Sequence, residues 1–379
     1  MSESNTSVRV FKYRLYPKPI QERNLFRVLN GARHLYNMAL TERRDAWEFE
    51  RRPVSRDELN TLAKHYRAKM PYGNQMFSQT AQSVIQQLEL AFAGFFRRVK
   101  AGQTPGYPRF KSASRFNSLV FKQYGSGAKM DGRRLKLYGI GRVAVRWHRP
   151  LEGTIKTVRV LHKAGQWFAL FTCQIDKPPP LPKTGRAIGI DVGISALITT
   201  SDGEKVEHPQ FYRRAQKRLR VLQRALARKK KGGRNRHKAL LKVQRQHGHV
   251  ANQRRDVLHK LSFRLVKEFD VIGVEKLRIK NMVRNRHLSK SILDAGWGLF
   301  KQLLTSKAES AGREVMFVNP AYTSRMCSNC GKTFDKFDLS VRWVECACGL
   351  SLDRDHNAAI NILKKTGWDA SAGANVECG

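Results

Sequence analysis

Acid is what this chain lacks. Against 72 lysines and arginines stand 30 aspartates and glutamates, a formal net charge of +42 over 379 residues. That imbalance predicts a polyanionic partner, because phosphate neutralisation and counterion release supply binding energy to such a surface. Long apolar runs are missing too, and no basic amphipathic anchor accompanies the charge, which argues against a membrane partner. The opening residues, MSESNTSVRV, lack the apolar stretch of a secretion signal, so a cytoplasmic protein is expected. Cysteine is scarce outside one place: four of the six fall within residues 327–348, leaving Cys173 and Cys378. Such bunching without a secretory context favours metal over disulfides. Cys173, inside the apolar WFALFTCQI, reads as a buried filler. No internal repeat is evident.

What is present suggests two or three domains, with 41% hydrophobic residues to fill their cores. Residues 7–16, with Val8, Val10, Tyr13 and Leu15 interspersed with Arg9, Lys12 and Arg14, read as a strand with one basic face. Helical stretches follow at about 20–50, 55–70 and 77–100, split by Pro53 and Pro71. Val84, Leu88, Ala91, Phe92 and Phe95 form a core stripe on the third. The loop AGQTPGYPRFKSASRF, carrying Arg109 and Lys111, reads as an exposed segment that contacts nucleic-acid backbone. Short strands with glycine turns over 116–176 suggest a β-barrel or sandwich that the first strand could join. The stiff DKPPPLPKTG is the best domain boundary. Beyond it the pattern turns α/β: a hairpin from AIGIDVG and SALITTSDG, helices over 212–265 broken at Gly232-Gly233, the buried strand DVIGVEKL, a helix over 294–312, the strand VMFVNP and a final helix in LDRDHNAAINILKK.

Between residues 212 and 260 lie eighteen lysines and arginines and one acid, Asp256, so helical salt bridging does not explain the charge. Leu219, Leu222 and Leu226 give this segment an apolar seam for packing. Its outer face, with Arg218, Arg224, Arg228, Lys229 and Lys230, suits a phosphate-lined groove.

Three carboxylates stand in unusual settings. Asp191 sits mid-strand in AIGIDVGI, with Gly189 and Gly193 leaving room beside it for a cation or a nucleic-acid backbone. Glu275 lies near the carboxyl end of its strand, where α/β folds place their sites. Asp355 opens the last helix on a face shared with Ala358, Ala359 and Ile362, while Asp353 suits a helix cap. Buried charge without a partner is expensive, and three acids brought together need a divalent cation between them. The chemistry expected is in-line attack of water on a phosphodiester. Two Mg²⁺ ions about 3.5–4 Å apart would be held there, bridged by Asp191 and Asp355. Separately, Cys327-Ser-Asn-Cys330-Gly and Cys346-Ala-Cys348-Gly offer four thiolates for a closed, structural Zn²⁺ site.

The motifs YRLYP, GARHLYNMAL, GYPRFK, GIDVG, VIGVEKL, DAGWG, PAYTSRMCSNCG and CGLSLDRDHNAAINI together resemble insertion-sequence TnpB proteins over nearly the whole chain. These are compact RNA-guided nucleases related to type V CRISPR effectors. The resemblance implies a RuvC-like, RNase H-like triad at Asp191, Glu275 and Asp355, and zinc-ribbon ligands at Cys327, Cys330, Cys346 and Cys348. It implies an oligonucleotide-binding-like wedge β-barrel (1–18 and 111–182), a helical recognition domain (19–110), a nuclease domain (183–326 and 350–366), a zinc-ribbon insert (327–349) and a flexible tail (367–379). A guide RNA from the transposon end, a short transposon-adjacent motif and cleavage of guide-matched double-stranded DNA are implied as well. The protein would be a monomeric ribonucleoprotein near the prokaryotic nucleoid. Gln82, with Gln79 and Lys122, are the expected motif contacts, and Tyr107 and Phe110 either stack on RNA or anchor their loop. The alternatives are a guide-dependent repressor that binds DNA without cutting, and a DNA-joining transposase.

Overall fold

The computed structural model describes residues 6–71, 73–334 and 341–368. The chain divides into two compact units, Met1–Lys177 and Pro178–Gly379. The first begins with β1 (Thr6–Tyr16), continues through helices α1 (Pro19–Glu50), α2 (Arg56–Lys69) and α3 (Ser78–Lys100), and closes with six strands. These are β2 (Ser118–Phe121), β3 (Ala128–Asp131), β4 (Arg134–Leu137), β5 (Gly141–Arg146), β6 (Thr154–Lys163) and β7 (Gln166–Asp176). All seven strands form one antiparallel sheet in the order β2-β6-β7-β1-β5-β4-β3, so the N-terminal strand lies at its centre. It is a single continuous sheet, not a sandwich of two.

Local chemistry explains the helix boundaries. Arg51 ends α1 in the left-handed region (φ 52°), and Pro53 follows. Ser55 then starts α2 with a capping box: its hydroxyl accepts from the Glu58 N–H at 3.2 Å, and the Glu58 carboxylate accepts from the Ser55 N–H at 2.6 Å. The faces of β1 differ from the sequence reading. Phe11, Tyr13 and Leu15 point inward, whereas Val8 is 72% exposed and Val10 50%. Period-two alternation cannot put Val8 and Val10 on the face of Tyr13, so they share the outer face with Lys12. Cys173 is fully buried in β7, as expected of a filler.

The second unit carries β8 (Ala187–Asp191), β9 (Ala196–Thr200), β10 (Lys205–Glu207), α4 (Phe211–Ala227), α5 (Arg234–Glu268), β11 (Val271–Glu275), α6 (Ile279–Met282), α7 (Ser289–Ala295), α8 (Trp297–Ala311), β12 (Glu314–Val318), β13 (Trp343–Glu345), β14 (Ser351–Asp353) and α9 (Arg354–Lys364). Its five-stranded sheet runs β10-β9-β8-β11-β12, with β8, β11 and β12 parallel and the other two antiparallel. Ile188, Ile190, Ile272 and Val274 face a core shared with Leu258, Leu261 and Leu265 of α5 and Phe300 and Leu304 of α8. The alternate residues Gly189, Asp191, Gly273 and Glu275 therefore look to the opposite face.

One expectation is revised here. The helix over 294–312 is two helices, because Gly296 takes a left-handed conformation (φ 73°) between α7 and α8. The division between the two units, after Lys177, falls inside the proline segment DKPPPLPKTG. Leu181 N–H donates to Ala311 O at 3.0 Å, and the Arg313 guanidinium donates to Pro182 O at 2.6 Å. Arg313 is buried and paired with Asp270, whose carboxylate also accepts from the Thr184 and Gly185 N–H groups. The expected flexible tail lies mostly outside the described residues, as does Cys378. Among the described residues no helix is long and apolar enough to cross a membrane.

Candidate active site

Strand register sets the first two carboxylates. Gly189 pairs with Gly273 and Ile190 with Val274, and Asp191 and Glu275 each follow at the carboxyl ends of parallel neighbours. Both lie on the face to which α9 docks. A Cβ at Gly189 would stand 2.1 Å from Ala359 O and 2.6 Å from Leu363 N, and one at Gly273 would stand 2.7 Å from Thr366 Cγ2. The glycine beside Asp191 thus does not leave room for a cation or a phosphate. That space holds the backbone of α9, and Gly193 only meets its own turn at Ala196 O. Fully buried Ala358 and Ala359 complete the close approach.

The docked helix brings its first turn to the strand ends. Asp353 caps it, accepting from the Asp355 and His356 N–H groups at 3.1 Å each and pairing with Lys205 at 2.7 Å. Asp355 is left for the site, where Arg354 Nη2 reaches it at 3.1 Å. His356 contacts Ser201 O at 3.0 Å through Nε2, tying the helix to the β9–β10 turn. Trp297 donates to Gly193 O at 3.3 Å, steadying the loop after Asp191. Asp294, in the same DAGWG run, accepts from Arg254 and from the Tyr212 N–H at the start of α4.

Electrostatics mark the acids as a set. Burial pushes the Asp191 carboxyl well above the usual carboxylate range, the negative charges of Glu275 and Asp355 push it further, and Arg354 and the Val192 N–H offset part of this. Glu275, 9% exposed, is also raised by burial, against the Thr323 hydroxyl that donates to it and the Lys365 charge nearby. An oxygen-only donor set whose negative charge Arg354 and Lys365 offset only in part fits a hard divalent cation. The oxygens of the three carboxylates do not all lie within 4.8 Å of one another, whereas the sulfurs of the four cysteines do.

Those cysteines stand as a quartet. Cys327 Sγ lies 3.6 Å from Cys348 Sγ, and Cys330 Sγ lies 3.5 Å from Cys346 Sγ. These separations are far beyond a disulfide bond of about 2.05 Å. They approach the edge of roughly 3.8 Å that a tetrahedron with Zn–S bonds of about 2.3 Å would have. The donor set fits zinc, although residues 335–340 of the expected ribbon lie outside the described residues. Stoichiometric zinc is expected in the purified protein, and chelation should lower its melting temperature by several degrees. Metal analysis with paired thermal melts checks both, and an unchanged melt in a zinc-stripped sample would count against a structural metal.

The expected nucleic-acid contacts lie in different settings. Arg218, Arg224, Arg228, Lys229 and Lys230 are all exposed on or just after α4, with Leu219 buried and Leu222 and Leu226 half-buried beneath. Arg236 of α5 holds the turn by donating to Leu226 O and Lys229 O at 3.0 and 3.2 Å. Gln82 is exposed on a polar groove with Asn60, Lys64 and Arg67. Gln79 is hydrogen-bonded to Gln123. Lys122 is half-buried, and burial, with Arg56 nearby, lowers its pKa. Arg109 is exposed, but the Lys111 backbone is fastened to the Asn37 side chain through bonds of 2.8 and 3.1 Å. Tyr107 packs edge-on against Phe92 and Phe95, each 5.5 Å away, so its contact in this structure is loop anchoring. Thr323, Arg354 and Lys365 escaped sequence reasoning, since a lone threonine or basic residue has no local signal for a tertiary contact.

Known proteins share these features. A family model described as a probable transposase matches residues 170–286, a Cas12f1-like TNB domain matches 297–362, and a helix-turn-helix domain matches 8–52. Here residues 8–52 hold β1 and one unbroken helix, α1. A putative RNA-guided DNA endonuclease of Streptomyces pristinaespiralis is 36% identical, covering 96% of this chain and 90% of its own length. The putative RNA-guided DNA endonuclease InsQ of Escherichia coli K12 is 30% identical, covering 98% and 94%. Among solved structures, Cas12f1 in a complex with sgRNA and target DNA superposes with a TM-score of 0.59 at 14% identity, covering 95% of this chain and 99% of that one. At that identity the likeness is one of fold.

Proposed function

The chain belongs to the TnpB family, and on that premise we propose that it is an RNA-guided endonuclease that cuts guide-complementary double-stranded DNA. The observation that carries the reading is the burial of Asp191 near enough to Glu275 of β11 and Asp355 of α9 that the charge of each opposes its ionisation. The second unit is assigned as a RuvC-like, RNase H-like nuclease with a zinc-ribbon insert. The sheet of the first unit is assigned as the wedge, and α1–α3 as the helical recognition part. Its place of work is the prokaryotic cytoplasm, where its DNA lies.

Each group has a role in that reading. Asp191, Glu275 and Asp355 would hold divalent cations, which would supply a nucleophilic water and neutralise charge on the phosphodiester. The Lys365 charge favours the ionised Glu275 carboxylate, and Arg354 balances Asp355. The exposed basic face of α4 and its following turn engages phosphates without reading bases. Gln82, Gln79 and Lys122 are assigned to the transposon-adjacent motif, Arg109 and Lys111 to nucleic-acid backbone. Guide pairing supplies the rest of the specificity.

Purification from the native locus should carry a transposon-end transcript, and that ribonucleoprotein should linearise a guide-matched plasmid in Mg²⁺. The same preparation assayed on transposon ends for strand transfer separates cutting from joining. Target binding without cleavage would favour the repressor reading. A preparation free of RNA and inactive on matched plasmid would sink the proposal.

A further inference from the structure

Thr323 lies between β12 and the first cysteine pair and is 2% exposed. Its hydroxyl donates to Glu275 Oε1, and Pro320 O, 2.9 Å away, is its alternative acceptor. The backbone around it is held by α9. Asn361 Nδ2 donates to Thr323 O at 2.9 Å and to Met326 O at 2.7 Å. One turn earlier, Asn357 donates to Met326 O and accepts from the Ser328 N–H, both at 2.8 Å. Asn357 and Asn361 are themselves 0% and 4% exposed, and Cys327 sits between the residues they hold. The cysteine knuckle, the helix bearing Asp355 and the strand bearing Glu275 therefore meet at one threonine.

We propose that Thr323 is a positioning residue that fixes the Glu275 carboxylate for the catalytic cation, and that the zinc knuckle and α9 set its place. The inference rests on the nuclease reading above and adds a residue to it. A carboxylate ligand holding one hydrogen bond from a buried hydroxyl keeps its second oxygen aimed, which a freely rotating glutamate does not. Threonine suits the place because its methyl packs while its hydroxyl reaches the acid. Valine reproduces the shape without the donor.

The test compares Thr323→Val, Thr323→Ser and Asp191→Ala with wild type, all zinc-loaded and guide-bound. Mn²⁺ binding is followed by electron paramagnetic resonance, and the half-saturating Mg²⁺ for cleavage by initial rates. Removing a supporting partner of a metal ligand typically costs about tenfold or more in metal affinity. Thr323→Val should weaken the Asp191-dependent Mn²⁺ site about tenfold and raise the Mg²⁺ requirement likewise, while Thr323→Ser stays within about threefold of wild type. Wild-type Mn²⁺ binding in Thr323→Val would overturn the inference, as would equal losses in the valine and serine variants, which would mean packing alone. Absence of any Asp191-dependent Mn²⁺ site in wild type would overturn both this inference and the nuclease reading, whereas the two former outcomes leave that reading standing.

Discussion

Asp191→Asn should slow cleavage of guide-matched DNA by at least about a thousandfold, equivalent to about 4 kcal/mol of lost transition-state stabilisation. The amide keeps the size and one carbonyl oxygen but removes the charge that a divalent cation requires of its ligand. Binding of guide and target should be nearly unaffected, because phosphate attraction comes from basic surfaces such as α4. Stability gives a second, opposite sign. The wild-type Asp191 charge is disfavoured by burial and by Glu275 and Asp355 together. Removing it in Mg²⁺-free buffer relieves repulsion, so the variant should melt no lower than wild type. Gel-resolved cleavage, filter binding of the ternary complex and thermal melts of the zinc-loaded protein measure the three effects. Retained cutting would remove Asp191 from the mechanism. A large fall in melting temperature would instead mean that the charge supports the fold.

The elements behind this prediction were legible because their periodicities are long or their breakers strong. The helix boundaries at Pro53 and at Gly232-Gly233, and the strands ending at Asp191 and Glu275, follow from local rules. Cysteine spacing likewise announces a quartet whatever the surrounding fold. Contacts made through the tertiary structure were not legible. Thr323 touches Glu275 across 48 positions of sequence, and nothing in PAYTS says where its hydroxyl will lie. Hydrophobicity alone groups Val8 and Val10 with Tyr13, but parity separates them, and the structure leaves both largely exposed. Gly189 is the most instructive error. A strand glycine reports that something comes close, yet cannot say whether the visitor is an ion, a phosphate or a helix.

Because the visitor is α9, Gly189→Ala is expected to be the most damaging single-methyl change in the second unit's sheet. The added carbon would meet the carbonyl of Ala359 at 2.1 Å and the Leu363 nitrogen at 2.6 Å, both backbone atoms inside a helix. Neither can swing aside as a side chain would, so the helix must move as a body. Overpacking of this kind costs about 3 kcal/mol or more. In a unit of this size that lowers the melting temperature by roughly 6–12 °C. Displacement of the helix also carries Asp355 away from Asp191 and Glu275, and a shift of about 1 Å at such a site costs on the order of a hundredfold in rate. Gly273→Ala is the matched control. Its nearest obstacles are the Thr366 and Ile362 Cγ2 methyls at 2.7 and 3.3 Å and Ile362 O at 3.4 Å, so one side-chain contact and no backbone atom lies under 3.0 Å, and a smaller cost of about 1 kcal/mol is expected. Melts and single-turnover cleavage of both variants should rank them in that order. A Gly189→Ala protein that melts and cuts like wild type would mean that α9 does not rest on β8, and the helix would then have no means of delivering Asp355.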